Sequence, residues 1–167
     1  MTIIMSVRNQ RALAVAARTG RLGCVVVDDG DLVIWDTSEK GASSSAKAAA
    51  KLRDWIREYH PDVLVTENPD AAGRKHGQQI KILKTFAAIG QDLPLVNLVV
   101  RRRRTFRNAY EEAENLAKQF PDLALMVPKK PPIWGTEPYN LVLFEALVLM
   151  REAGLLKSFV ATASGSE

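Results

Sequence analysis

The segment DVLVTENPD (residues 62–70) decides which fold the sequence predicts. Its apolar run is typical of a buried strand, and Asn68-Pro69 ends it because proline cannot donate to a strand ladder. The strand carries Glu67 at its carboxyl end. The position of that carboxylate in the fold depends on the elements that flank the strand.

The chain before this segment predicts an antiparallel meander followed by a helix. Apolar and β-branched runs predict strands at 11–16, 22–27 and 32–37, and the Asp-Gly of DDGD predicts a hairpin between the second and third. A Ser-rich start and apolar residues at helical spacing then predict a helix within 41–60. His60-Pro61 ends it, since the residue before proline is pushed out of the α region.

The chain after this segment alternates helices with a strand. Apolar spacing predicts a helix within 73–90 with Gly90 as its stop, a strand at 93–100 and a helix at 107–120. A last helix is predicted from about Thr136 to Ala153, with Thr136 as its cap and Pro138 in its first turn.

This order predicts an α/β fold with a mixed five-stranded sheet, whose first three strands are antiparallel, and with helices on both faces. The right-handed crossover rule places the fourth strand beside the first. Ligands of such sheets gather at the carboxyl ends of strands where the strand order switches. We expect one domain at 11–156, an N-terminal extension at 1–10 and a flexible tail at 157–167.

Composition narrows the class of protein. The 167 residues suit one globular domain, and no segment reaches the roughly 18 apolar residues of a membrane span. The start has no secretory apolar region, and the single cysteine, Cys24, excludes an internal disulfide. We therefore expect a cytoplasmic protein in which Cys24 is a small buried hydrophobe.

Two basic stretches, together with a net charge of +4, indicate a polyanionic partner. RRRRTFR (101–107) holds five arginines, and GRKHGQQIKILK (73–84) is the second stretch. Each alone is compatible with a solvated face, but a fold that brings both together favours phosphate binding. The predicted nucleic-acid contacts are Arg74, Lys75, His76, Gln78, Lys81, Arg101, Arg102, Arg103, Arg104 and Arg107.

Two carboxylates stand in unusual places. Glu67 ends the fourth strand, and Glu145 interrupts the apolar run LVLFEALVLM (141–150), while Glu137 shares a helical face with Glu145. If that face meets the strand ends, the carboxylates converge. Clustered carboxylates bind Mg²⁺ or Mn²⁺, and two such ions clamp the attacking and leaving oxygens of a phosphodiester.

The predicted strand order, Glu67 followed by a basic helix, and an acidic last helix containing FEALVLM resemble the RNase H-like superfamily, and within it Holliday-junction resolvases of the RuvC type. LAVAARTGRLGCVVV (13–27) resembles the opening strand and turn of that family. VLVTENPDAAGRKHGQQIKILKTFAAIG (63–90) resembles its fourth strand and the following helix. The resemblance covers roughly residues 11–153.

The resemblance implies a homodimer that cleaves branched DNA with Mg²⁺ or Mn²⁺ held by four carboxylates: one at the end of the first strand, one at the end of the fourth and two on the last helix. Glu67 and Glu145 match two of these positions. Val142 stands three residues before Glu145, so Glu137 or the neutral Asn140 is left for the second helix position.

The first strand departs from the family, because Ala16 stands where the leading aspartate is expected. Asp70, three residues past Glu67, is the nearest substitute, so the expected catalytic and metal-binding set is Glu67, Glu145 and Glu137, with Asp70 as a further metal ligand. Loss of a bridging carboxylate removes several kcal/mol of transition-state stabilisation, at about tenfold in rate per 1.4 kcal/mol.

Three hypotheses follow. The favoured one is a resolvase-like protein that binds branched DNA, or RNA, with cleavage weakened or lost through Ala16. The second is an active Mg²⁺- or Mn²⁺-dependent structure-specific endonuclease. The third is a non-catalytic assembly scaffold, in which Trp134, Tyr139 and Phe144 form an interface; core packing is the default for Phe144, and also for Trp35 and Trp55.

Overall fold

The structure is a computed structural model, and it describes residues 10–73, 75, 77–103, 106–129, 131, 138 and 140–157. Within these residues, five strands and four α-helices follow one another. The strands are β1 (Arg11–Arg18), β2 (Arg21–Asp28), β3 (Asp31–Ser38), β4 (Val63–Glu67) and β5 (Val96–Val100). The helices are α1 (Ser45–Tyr59), α2 (Gln78–Asp92), α3 (Ala109–Gln119) and α4 (Leu141–Glu152), with short 3₁₀ segments at Lys40–Ser43, Pro69–Ala71 and Pro121–Met126.

The strands form one mixed sheet in the order β3-β2-β1-β4-β5. The first three are antiparallel, whereas β4 pairs in parallel with both β1 and β5. This arrangement confirms the predicted fold class and the position of the fourth strand beside the first.

Each face of the sheet carries its own hydrophobic core, because successive residues of a strand point to opposite sides. Odd-numbered residues of β1 such as Leu13 and Val15 pack with α1 and α2. Even-numbered residues such as Ala14 and Ala16 pack with α3 and α4. Among the described residues, no helix is long and apolar enough to cross a membrane.

Ser44 and Asn108 cap α1 and α3, each accepting a hydrogen bond from a backbone N–H in the first turn of its helix. His60 ends α1 in the left-handed region, with φ of 50°. Cys24, Trp55 and Phe144 are buried as predicted, while Trp35 is half-buried against the core.

Several boundary predictions were wrong, including the start of the strand predicted at 93–100, since β5 begins at Val96. β1 continues to Arg18, because Gly20, at φ of 76°, allows a turn that lets Arg18 pair with Arg21. Gly90 does not stop α2 but lies buried inside it, against Asn97 of β5.

The last helix begins at Leu141 rather than near Thr136. Pro138 lies before the helix, where its carbonyl accepts a hydrogen bond from the Leu141 N–H at 3.2 Å. Thr136, Trp134 and Tyr139, like the N-terminal extension before residue 10 and the tail beyond 157, lie outside the described residues.

Candidate functional site

The two unusual glutamates meet at the carboxyl end of β4. Glu67 ends that strand, Glu145 lies in the second turn of α4, and only 1% of Glu67 and 4% of Glu145 is exposed. The α4 face of the sheet holds both because Glu67 is in phase with Val63 and Val65, which pack beneath α4. The sequence therefore located this pair of carboxylates from a strand end and an interrupted apolar run.

Three cations of the protein surround the pair. The Lys75 ammonium donates to Glu67 Oε1 at 2.7 Å and also to Glu145 Oε2. Arg102 places Nε 3.0 Å from Glu67 Oε2 and Nη1 3.2 Å from Glu145 Oε1. Arg18 donates from Nη1 to Glu145 Oε1 at 2.7 Å. We call these five residues the charge cluster: Arg18, Glu67, Lys75, Arg102 and Glu145.

The charge cluster keeps Glu145 ionised although it is buried. Burial favours the neutral acid, but Lys75, Arg102 and Arg18 outweigh it and lower the pKa of Glu145 to about 2. Arg102 responds in the reciprocal way: burial disfavours the guanidinium, but Glu145 and Glu67 outweigh it and raise its pKa. Because it stays ionised, the Glu145 carboxylate binds cations near neutral pH and does not donate or accept a proton.

The donor set does not fit a divalent metal ion. All four carboxylate oxygens of Glu67 and Glu145 already accept hydrogen bonds or ion pairs from the cations of the cluster. Among the described residues, no group of three or more His, Cys, Asp or Glu side chains is placed to hold a metal. A metal ion would have to displace three positive charges, and hard cations require several oxygen ligands.

Ala16 lies beside this pair. Ala14 pairs with Val65 across the parallel strands, so Ala16, two residues further along β1, falls next to Glu67 on the same face. Arg18 is two residues further again, and this spacing turns its side chain toward Glu145. The face of β1 that meets the glutamates therefore offers a methyl group and then a guanidinium.

The other predicted metal-ligand positions lie apart. Asp70 is exposed on the 3₁₀ segment after β4, where its backbone N–H bonds to Asn68 Oδ1. Glu137 lies outside the described residues.

Above the charge cluster opens a cavity of about 410 Å³, which we call the basic cavity. One wall is the loop that follows β4, and the other is the loop between β5 and α3. Of the described residues, five cationic side chains and two carboxylates line it: Arg18, Lys75, Arg102, Arg103 and Arg107 with Glu67 and Glu112.

Ion pairs with α4 hold the second wall in place. The Arg103 backbone N–H and guanidinium both donate to Glu152, and Arg151 donates to Glu112 at 2.8 Å. Arg107, by contrast, has 88% of its side chain exposed and lies 3.7 Å from Glu111. The two basic stretches of the sequence thus face each other across one cavity.

Of the predicted nucleic-acid contacts, Lys75, Arg102, Arg103 and Arg107 line the basic cavity. Three further predicted contacts are exposed but do not line the cavity: Arg101, Gln78 and Lys81. Lys75 lies in the loop before α2 and not on the helix, which begins at Gln78. Arg74, His76 and Arg104 lie outside the described residues.

Sequence reasoning missed Arg18 and Phe106, which also line the cavity. Arg18 could have been predicted from the sequence, because the two-residue period of β1 places position 18 on the same face as position 16. Phe106 had no such signal, because it lies in a loop and its surroundings depend on the packing of two distant segments.

The backbone resembles solved structures of Holliday junction resolvases. The fowlpox virus Holliday junction resolvase matches with a TM-score of 0.58 and 14% identity, over 86% of this chain and 96% of that chain. Thermus thermophilus RuvC matches with a TM-score of 0.54 and 10% identity, over 89% of this chain and 99% of that chain. The fowlpox virus resolvase in complex with its substrate Holliday junction DNA matches with a TM-score of 0.53 and 15% identity, over 86% of this chain and 99% of that chain.

These similarities define the class of fold. The chain has the RNase H-like architecture in the form found in RuvC-type resolvases, as the sequence predicted. No protein-family model and no curated protein sequence matches the chain. At identities of 10% to 15% the likeness lies in the fold.

Proposed function

We propose that the protein binds branched DNA through the basic cavity and that its metal-dependent cleavage is weakened or lost. One observation carries this proposal: the protein's own cations occupy all four oxygens of the glutamate pair. Ala16 supports it, because the position beside Glu67 supplies no third carboxylate.

The surplus of positive charge in the basic cavity supports phosphate binding. Among the described residues, the five lining cations pair with four carboxylates, Glu67, Glu145, Glu111 and Glu152, so five positive charges against four negative ones leave a surplus of one, and a concave surface concentrates that potential. Proteins of this fold have been solved with such ligands: the fowlpox resolvase with its substrate Holliday junction DNA and T. thermophilus RuvC with a Holliday junction substrate. A homodimer, which the resemblance implies, would present two such cavities to one junction.

The second candidate is an active endonuclease. It is favoured by the convergence of Glu67 and Glu145 at the carboxyl ends of the strands, where ligands of such sheets gather. Under this alternative, Mg²⁺ or Mn²⁺ must displace Lys75, Arg102 and Arg18 from the two carboxylates. The two candidates differ in cleavage and not in binding.

Binding is tested by fluorescence anisotropy with a labelled four-way junction and a duplex of the same sequence. If four of the cavity cations contact phosphates, the plot of log K against log salt has a slope of about −3.6, so affinity falls by about two orders of magnitude between 50 and 200 mM salt. Binding that does not depend on salt, or no binding, would support an assembly scaffold instead.

A matched pair of variants locates the contact. Arg107→Gln should weaken binding and reduce the salt slope by about one, because it removes one phosphate contact. Arg57→Gln removes another exposed arginine, with 73% of its side chain exposed, from the last turn of α1 and should leave both quantities unchanged. Equal losses in the two variants would show that only net charge matters.

Cleavage is tested by incubating the labelled junction with Mg²⁺ or Mn²⁺. We expect no specific nicks from the natural chain. Specific nicks that disappear in Glu67→Gln would establish the endonuclease and refute the loss of catalysis. Ala16→Asp, alone and with Lys75→Ala, then tests whether a third carboxylate, with one of the three competing cations removed, restores metal-dependent cleavage.

A further inference from the structure

Phe106 is an aromatic residue that the hydrophobic cores do not use. Of the described phenylalanines, Phe86 and Phe144 are buried and Phe120 packs against the core beneath α4. Phe106 is half-buried, yet it belongs to neither of the two cores formed by the described residues. It lines the basic cavity instead.

The surroundings of Phe106 combine a flat apolar face with positive charge. Arg103 and Arg107 flank it in sequence and line the same wall, and Arg102 and Lys75 belong to the charge cluster beneath. Proteins that hold single strands use this combination: cations follow the backbone while aromatic rings stack on the bases. A purely electrostatic phosphate site needs no aromatic side chain.

The size of the cavity selects the form of nucleic acid. Its volume of about 410 Å³ lies at the low end of the roughly 300–1,000 Å³ of pockets that hold one small ligand, and a double helix is far larger than such a ligand. A duplex therefore lies across the opening and does not enter it. A single nucleotide suits a cavity of this size. Its charged phosphate complements the cations of the lining, and its planar base complements the ring of Phe106.

We infer that the basic cavity receives one unpaired nucleotide of a branched DNA strand, with Phe106 as the surface on which its base stacks. This inference rests on the proposed function and names the part of the DNA that the site holds. The phosphate of that nucleotide faces the cations of the cavity, and the base lies against Phe106. Because every base has a π-face, such a site recognises an unpaired position and tolerates different sequences.

The test uses the full chain and a four-way junction with 2-aminopurine at the branch point, compared with a fully paired duplex carrying the same base. Binding of the natural chain should change the fluorescence of the junction probe and leave that of the duplex probe nearly constant. Phe106→Leu should weaken junction binding about tenfold, as loss of one base–aromatic stack does. It should abolish the fluorescence change and leave the salt slope unaltered, since no phosphate contact is lost.

Two further variants separate stacking from folding. Phe106→Tyr keeps the ring and should retain both affinity and fluorescence change. Phe120→Leu makes the same substitution at a half-buried phenylalanine that packs on the core, and it should leave the fluorescence change intact.

The outcomes distinguish this inference from the function on which it rests. Salt-dependent junction binding that Phe106→Leu leaves at full affinity, with the fluorescence change unaltered, overturns the stacking role and keeps the proposed function. An equal loss in Phe120→Leu also overturns it, because the effect is then not specific to the cavity. If the natural chain shows no salt-dependent binding, both the proposed function and the inference fail.

Discussion

Replacing Glu145 with glutamine tests the charge cluster directly. Glutamine keeps the shape of the side chain but removes the negative charge that Lys75, Arg102 and Arg18 share. Of the two glutamates, only Glu67 would then remain charged beside these buried or half-buried cations. Removing one partner from a buried ion network is costly because it leaves uncompensated charge in a poorly solvated place.

The magnitude follows from the pKa of the carboxyl group. Ion pairing lowers the pKa of Glu145 from 4.5 to about 2, and each step of one in pKa is worth about 1.4 kcal/mol. The ionised side chain therefore contributes about 3 kcal/mol to stability near neutral pH, and Glu145→Gln should remove that amount.

The sign of the pH dependence is fixed by the direction of the shift. Because the pKa is lower in the folded chain than in the unfolded one, the contribution is complete above about pH 5 and is lost as pH falls toward 2. At pH 3 an unfolded glutamate is mostly protonated while Glu145 is mostly ionised, so less than half of the contribution remains.

The assay is urea unfolding of both chains at pH 7, 5 and 3, followed by tryptophan fluorescence, since Trp55 is buried in the core. Glu58→Gln, an exposed glutamate on α1, serves as the control and should change the midpoint little at any pH. A stability difference between Glu145→Gln and the natural chain that does not shrink between pH 7 and pH 3 would refute the ion-pair account. So would a glutamine variant of undiminished stability.

Two further predictions concern packing. Gly23→Ala should destabilise the fold by about 1–3 kcal/mol in urea unfolding, because the added Cβ would lie 2.8 Å from Val142 Cγ1 and 3.1 Å from the Val142 backbone; an unchanged midpoint would show that α4 does not rest on β2. Cys24 should react with a thiol reagent only on unfolding, since it is buried and burial raises its pKa; fast labelling of the native chain would contradict this.

The fold could be predicted from the sequence because the patterns that specify its elements are local. The Asp-Gly turn at Asp29-Gly30, the buried run of β4 and the Ser-rich start of α1 each depend on a few neighbouring residues. The order of those elements, with the crossover rule, then determined the sheet. The start of α4 was missed because tertiary packing decides it: Asn140 donates its side chain to the Met126 carbonyl instead of capping the helix.

Only part of the site could be predicted from the sequence, and the reason is physical. Glu67 and Glu145 stand out because charge in an apolar run is costly, and this cost is visible in the sequence. The identity of their partners is not, since Arg18, Lys75 and Arg102 come from three separate parts of the chain and meet only in the fold. A carboxylate pair predicted from sequence therefore fits a metal site and an internal ion network equally well.

Ala16 and the three cations are parts of one arrangement. Two carboxylates held close together without a counter-charge would raise each other's pKa. A metal ion is one source of that counter-charge, but it needs several oxygen ligands, and the methyl group of Ala16 supplies none. Lys75 and Arg102 supply the charge instead. Because Lys75 and Arg102 lie in the two loops that line the cavity, their contacts with the glutamates connect these loops. In the proposed function, the acidic pair serves DNA binding by positioning the cations, a role that does not require metal-dependent cleavage.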